Sequence, residues 1–248
     1  MAISRLTHHI SHQFDKELED IRSKVLAMGG LVEDHLNRVL DALSKGDLEE
    51  AEYVAASDYK VNALEVEIDD ECTGILLRRQ PAASDLRLVL SVSKIITDLE
   101  RIGDEVEKVA RIVVSFVTTG SPRAYYVGVL AMGHHVKRML RAALDAFARM
   151  DSEAALKVAQ EDPEVDKEME AVMRQLITYM MEDPRSITRV LDAVLAVRAF
   201  ERIGDHADNI CENAIYVAEG KDVRHVRRDE IAEELKRRRA EAPDTPSS

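Results

Sequence analysis

The chain has 248 residues and a formal net charge of −13. That sign excludes sequence-independent nucleic-acid binding, which needs a cationic surface, and favours cations or basic protein surfaces as partners. Hydrophobic residues make up 46%, enough for a real core, yet aromatics are only 4% with no Trp, and Ala, Leu, Glu, Asp, Arg, Lys and Met dominate, as they do in helices.

The prediction is therefore an all-α chain. No stretch approaches the roughly 18 continuous apolar residues of a membrane span, and Met1 to Ser11 lacks the apolar core of a secretory signal. Cys72 and Cys211 form no Cys-x-x-Cys pair, so they read as reduced, buried thiols of a cytoplasmic protein.

In chain order, a first helix is expected from about Asp15 to Ser44, with Ile21, Val25, Met28, Val32, Leu36, Val39 and Leu43 at helical spacing. Lys45-Gly46 stops it. Asp47 with Glu50 resembles a capping box and opens a second helix carrying Val54, Val61, Leu64, Ile68, Cys72, Ile75 and Leu76. Pro81 ends that helix near Arg79, because the residue before proline avoids the α region. A third helix opens near Ala83–Asp85 and carries Leu88, Val92, Ile95, Leu99, Ile102, Val106, Val109 and Val113 to about Val117. Thr118 to Pro122 is the clear linker.

The scheme then repeats over about Ala124–Arg149, Ser152–Met181 and Ser186–Glu219, with Asp151-Ser152 and Asp183-Pro184 as breaks and Gly220 as the stop. Helices of roughly 30 residues are about 45 Å long, and short turns force them antiparallel. Two tandem, pseudo-symmetric three-helix bundles follow. Residues 1–120 are assigned to the first repeat with a short polar N-terminal extension, 121–221 to the second, and 222–248 to a basic tail, either frayed or a docking element.

The duplication is written in the residues. Met28-Gly29 aligns with Met132-Gly133, Leu40-Asp41 with Leu144-Asp145, Asp47 with Asp151, Asp58 with Asp162 and Val61 with Val165. Glu100-Arg101-Ile102-Gly103-Asp104 recurs as Glu201-Arg202-Ile203-Gly204-Asp205, with about one turn lost in between.

Within the phrase, Glu100, Asp104 and Glu107 fall in an arc of about 60°, well away from Ile102, Val106, Val109 and Val113, which must face the core. Glu201, Asp205 and Asp208 repeat that geometry. Acids on an outer helix face are ordinarily just solvated. Here like charges four apart, mutually repulsive, recur in both copies. Lys108 can pair with Asp104 and Arg111 with Glu107 in the first. In the second, Glu201, Asp205, Asp208 and Glu212 share a face without any Lys or Arg, which calls for a neighbour's cation or a metal ion. All-oxygen ligands suit Mg²⁺, Ca²⁺, Mn²⁺ and iron, and the second stripe is expected to bind metal more readily. Glu161, Asp162, Asp166 and Glu170 are all available to complete it, and the sequence does not choose among them. Gly103 and Gly204, costly inside helices, point to close helix packing. Arg101 and Arg202 either clamp a carboxylate on a neighbouring helix or stand exposed.

These motifs resemble the PhoU family of bacterial phosphate-signalling regulators. Gln80-Pro81-Ala82-Ala83-Ser84-Asp85-Leu86-Arg87 looks like that family's entry into its third helix. Asp98 to Asp104 and Phe200 to Ile210 look like its paired signatures, and Gly220 with Arg224-His225 like its C-terminal ending. The resemblance implies two pseudo-symmetric three-helix bundles without catalysis. It implies a cytoplasmic, often dimeric adaptor between the phosphate ABC transporter, through its ATPase, and a phosphate-sensing histidine kinase. Such a protein restrains uptake and the starvation response when phosphate is plentiful. It further implies multinuclear metal clusters on the carboxylate signatures, of iron or zinc type in some members, beside the magnesium or manganese that the all-oxygen ligands also suit. By position the ligands are Glu100, Asp104, Glu201 and Asp205, with Asp98, Glu107 and Asp208 as further candidates. Glu105 and Lys108 replace His206 and Asn209 in the first copy, so the two sites are not chemically equivalent.

Other chemistries lack their residues. A di-iron oxidase bundle needs inward Glu-x-x-His motifs, and no histidine here has Glu three residues before it. Walker, Gly-x-Ser-x-Gly and metalloprotease motifs are absent, and nothing reads as a direct phosphate pocket. A metal-binding helical scaffold without a phosphate role is the remaining alternative. His8, His9 and His12 read as a polar terminus, and Met150, Met180 and Met181 as fillers of core or interface gaps.

Overall fold

The helical periods of the two copies fold as two antiparallel three-helix units. The computed structural model describes residues 2–241, with side chains from 13 to 235 and at 237. The His8, His9 and His12 side chains and the final Pro/Ser-containing residues lie outside that range. In the first unit α1 (Ala2–Lys45), α3 (Tyr59–Arg79) and α4 (Ala83–Thr118) run back and forth, with α2 (Leu48–Ala55) ahead of α3. In the second, α5 (Val127–Arg149), α6 (Ser152–Ala159), α7 (Asp162–Glu182) and α8 (Ile187–Glu219) repeat the path.

Local signals act where their chemistry says they should. The Asp47 side chain accepts from the Glu50 amide at 3.1 Å and Asp151 from the Ala154 amide at 2.9 Å, capping α2 and α6 at matching positions. Gly46 takes a left-handed φ of +71° at the end of α1, and Met150 takes +51° at the equivalent end of α5. Gln80, also left-handed, closes α3 ahead of Pro81.

One expectation needs correcting. The second helix of each copy is not continuous: it breaks at Ala56–Asp58 and again at Gln160–Glu161. In the first copy the buried Ser57 hydroxyl donates to the Tyr53 carbonyl at 2.7 Å, a local bond that competes with helix continuation. In the second, Pro163 sits in the first turn of α7, where its missing N–H costs nothing. The break turns Asp58 and Asp162 toward α4 and α8.

The core is continuous across both units, with Met28, Leu36, Leu40, Ile95, Ile102, Phe147 and Phe200 fully buried. α1 crosses α5 through matched glycines: a Cβ on Gly29 would lie 2.6 Å from Leu144 Cδ2, and one on Gly133 would collide with Leu40 and Phe200. Gly29 and Leu40 are the counterparts of Gly133 and Leu144, so one contact is written twice about a pseudo-two-fold axis. Met150 and Met180 pack against the core as fillers, but Met181 is 78% exposed and fills no gap in the core.

Of the two alternatives left open for the tail, the described residues take the docked one. Residues 228–241 form helix α9 (Arg228–Glu241) docked on α6. Ile231 and Leu235 are its buried anchors, beside the buried Leu156 and Val223. Two such side chains contribute about 1.5–3 kcal/mol each, and an isolated helix of this length is marginal in water, so α9 holds through this docking.

Candidate metal centre

α4 and α8 lie antiparallel along each other. Asp98 meets His206, Glu105 meets Arg202 and Ser115 meets Asp192, a sequence that ascends one helix and descends the other. The signature phrases therefore sit side by side at the centre of the molecule. Their inner residues join the two copies, and their acids face outward along two ridges.

On the first ridge Glu100, Asp104 and Glu107 are half-buried. Gly103 admits the start of α3 so closely that a Cβ there would lie 3.0 Å from Asp58 Oδ1 and 3.2 Å from Val61 Cγ1. Asp58 thereby joins Asp104 and Glu107, with carboxylate oxygens all within 4.8 Å of one another. Asp58 Oδ2 accepts from Asn62 Nδ2 at 2.9 Å, while the buried Oδ1 has no partner. Burial pushes the Asp58 carboxyl up, opposed by the Asn62 bond and reinforced by the charges of Asp104 and Glu107. Burial, then Asp104, Glu65 and Asp58, raise Glu100 as well. Asp58 and Glu65 escaped the sequence reading as ridge members. The alignment of Asp58 with Asp162 was the available signal.

Arg111 pairs with Glu107 at 2.5 Å as its spacing suggests, but Lys108 does not reach Asp104. It bonds the buried Glu105 at 2.9 Å, where Arg202 of α8 also lies 3.0 Å away. Arg202 is thus a clamp across the two copies. Arg101 is exposed and makes no ion pair among the described residues.

Asp98 does not belong to either ridge, contrary to its place among the candidate ligands. It is buried between α4 and α8 and accepts from His206 Nδ1 at 2.9 Å and Asn209 Nδ2 at 3.1 Å. Two residues before Glu100, it points to the opposite side of the helix. His206 and Asn209, the departures of the second signature, are there to hold it.

The second ridge carries Glu201, Asp205 and Asp208, with Asp162 opposite as the counterpart of Asp58. Asp162 is raised by burial and then by Asp166, against the pull of Arg228. Glu161 instead flanks His135 at 3.4 Å, and Glu170 pairs with Arg174. Loss of solvent first, then Glu201 and Asp162, pushes Asp205 up to about 6. Asp208 is pushed up to about 7 by burial against the pull of Arg228, with Glu212, Asp162 and Asp205 adding to the rise. The cation that this face lacks within its own helix comes from α9: Arg228 bonds Asp208 through Nη2 and lies 3.2 Å from Glu212 through Nη1. Among the described residues, convergent carboxylates stand on the first ridge, not on the second, where the sequence alone placed the richer site. Three oxygen donors, one of them an orphaned buried Oδ1, fit a hard, oxygen-preferring cation.

Comparison with known proteins bears on the whole arrangement. The PhoU domain family matches residues 25–113 and 129–214, one match for each copy. The phosphate-specific transport system accessory protein PhoU homolog of Pseudomonas aeruginosa is 52% identical over 236 residues, covering 95% of this chain and 98% of that protein. A crystal structure of PhoU from Pseudomonas aeruginosa superposes with a TM-score of 0.81 at 54% identity, covering 84% of this chain and all of that one. The phosphate transport system regulatory protein PhoU of Streptococcus pneumoniae superposes with a TM-score of 0.78 at 30% identity, covering 85% and 99%. Two signature phrases on paired helices, a duplicated bundle and likeness across nearly the full length lead to one conclusion: the chain belongs to the PhoU family of non-enzymatic accessory proteins.

Proposed function

We propose that the protein regulates phosphate-specific transport from the cytoplasm, as an adaptor between the ATPase of the phosphate ABC transporter and a phosphate-sensing histidine kinase. In this reading it holds uptake and the starvation response down when phosphate is plentiful. The observation that carries the proposal is the family match over both copies, with relatives named for phosphate transport. No helix among the described residues is long and apolar enough to cross a membrane, which suits a protein reaching the membrane through partners.

A divalent cation, of the magnesium, manganese, iron or zinc type, is proposed on the ridges. Asp58, Asp104 and Glu107, with Glu100 beside them, would hold it on the first; Glu201, Asp205 and Asp208 are the set on the second. Bound there, it supplies positive charge that neutralises the ridge and fixes α3 against α4. A second copy of the chain is the further proposed partner: Ile187, Leu191 and Leu195 recur every four residues along α8 and are 42%, 48% and 58% exposed, an apolar ladder suited to self-association.

Deletion of the gene tests the regulatory reading. Alkaline phosphatase made constitutively at high phosphate is the expected result. A normal phosphate response in the deletion strain would overturn it and leave a metal-binding helical scaffold without a phosphate role.

A further inference from the structure

The two signatures are copies, yet their arginines are not partnered alike. Arg202 of α8 reaches the buried Glu105 of α4 at 3.0 Å. Exchanged about the pseudo-two-fold axis, that pair becomes Arg101 of α4 and residue 206 of α8. Position 206 is His rather than Glu, and its Nδ1 is bonded to Asp98 at 2.9 Å. Arg101 thereby lacks the carboxylate that its copy keeps. Lys94, two turns earlier on α4, is exposed and likewise makes no ion pair among the described residues; its ammonium stands 5.9 Å from the centre of the Tyr216 ring. Both side chains line a groove of about 450 Å³ between α4, α8 and the turn that follows α8, within the size range of ligand pockets. Lys94 and Arg101 stand about 10.5 Å apart along the α4 wall, and Arg224 lines the groove from the turn. The acids in the wall are already engaged, Asp98 by His206 and Asn209, and Glu212 by Arg228 at 3.2 Å. Arg224 gives Nε and Nη2 to Asp222 and keeps Nη1. Asn209 donates one amide hydrogen to Asp98, Asn213 donates one to the Asn209 carbonyl, and each retains a second.

We infer that this groove is a binding site for a phosphoryl anion, held between the Lys94 ammonium and the Arg101 and Arg224 guanidiniums. The donor set carries the choice. Guanidiniums offer planar pairs of N–H groups that match phosphate oxygens, and an ammonium adds a point charge. The second amide hydrogens of Asn209 and Asn213 supply neutral donors on the facing wall. Every side chain lining the groove is polar, so a ligand gains nothing there from hydrophobic burial. A carboxylate presents two oxygens in one plane, whereas a phosphoryl group presents three, which suits donors arriving from α4, from α8 and from the turn at once. Bound there, the anion ties the first copy to the second and fixes the turn that leads into α9. No single stretch of the sequence reads as such a pocket, because its donors come from three separate segments. The phosphoryl group is the same chemistry on free orthophosphate and on a nucleotide, and the two are told apart by titration.

Calorimetry on the full chain at constant ionic strength tests the site, with orthophosphate and ADP as separate probes and glutarate as a dicarboxylate control. Saturable binding of orthophosphate assigns the groove to the free ion; binding of ADP without orthophosphate assigns it to a phosphate carried on a nucleotide. With whichever probe binds, R101Q and K94Q each weaken affinity about tenfold or more, the effect of losing one hydrogen bond between charged groups. R198Q removes the same charge from an exposed α8 position outside the groove and leaves affinity unchanged. All three substitutions lie at exposed positions, so the bundle folds, which helical circular dichroism verifies. Absence of saturable binding by either probe overturns the assignment. So does glutarate binding as tightly as the phosphoryl probe, or R101Q and K94Q affinities equal to that of R198Q. The site goes beyond the regulatory role proposed above and fails separately from it: alkaline phosphatase in the deletion strain reports on that role whether or not a phosphoryl anion binds.

Discussion

Gly103 and Gly204 occupy the same place in the two signatures, but an added methyl group would meet different surroundings. At Gly204 a Cβ would lie 3.5 Å from Val165 Cγ1 and 3.6 Å from Val136 Cγ1, ordinary contact distances. Gly204→Ala therefore gains the helix propensity of alanine, about 0.8–1.0 kcal/mol, with nothing displaced. At Gly103 the same methyl meets Asp58 Oδ1 at 3.0 Å and Val61 Cγ1 at 3.2 Å. Val61 is fully buried, and Asp58 is held through its other oxygen by Asn62. Overpacking of this kind costs about 1–3 kcal/mol, so Gly103→Ala comes out neutral to roughly 2 kcal/mol destabilised once the propensity gain is set against it. Urea unfolding at constant m-value reads both. Gly103→Ala also moves Asp58 and weakens manganese binding at the first ridge, whereas Gly204→Ala leaves that site unchanged. Equal stabilisation by the two substitutions would show that α3 does not press on α4 at Gly103, and the account of how Asp58 reaches the ridge would fail.

Three further outcomes are expected. Asp205 has a folded-state pKa of about 6, above the roughly 3.9 of an unfolded aspartate, so the folded state binds the extra proton and stability falls as pH rises from about 4 through 6; Asp205→Asn flattens that part of the stability–pH curve, and an unchanged slope refutes the assignment. Asp98→Ala leaves His206 and half-buried Asn209 without their acceptor and destabilises by about 1–3 kcal/mol, while manganese affinity stays as before, the opposite of what a metal ligand would do. Gln80→Gly relieves about 1–2 kcal/mol of left-handed backbone strain against roughly 0.5–1 kcal/mol of added chain entropy; since Gln80 is exposed and left-handed, a rise in stability of about 0.5–1 kcal/mol in the same urea assay is expected, and destabilisation contradicts it.

What could be read from the chain alone was what depends on neighbours within a few residues. The apolar spacing that defined α4 and α8 is a property of one helix, and the Asp47 and Asp151 caps act across three residues, so both were visible. The break before Asp58 was not, because Ser57 stops the helix through one hydroxyl bond to Tyr53 without any Gly or Pro. Pro163, its counterpart, reads equally well as the first turn of a helix. Missing the break hid the residue that completes the first ridge. Arg228 was hidden for a different reason: its partners Asp208 and Glu212 belong to another helix, and α9 shows just Ile231 and Leu235 among charges. Asp98 is the case where the sequence held the answer, since helical geometry already turns it away from Glu100 and toward the other copy.

The paired acidic ridges are what the protein works through, rather than a solvated face. Complementation of a deletion strain with a chain carrying E100Q, D104N, E201Q and D205N tests this most directly, provided that its circular dichroism and urea midpoint match or exceed those of the unaltered chain. The substitutions remove charge from outward-facing positions and leave every α4–α8 contact in place, so folding is preserved. Alkaline phosphatase that stays high at plentiful phosphate is the predicted result. Full repression by the neutralised chain would contradict the claim and return the ridges to ordinary surface.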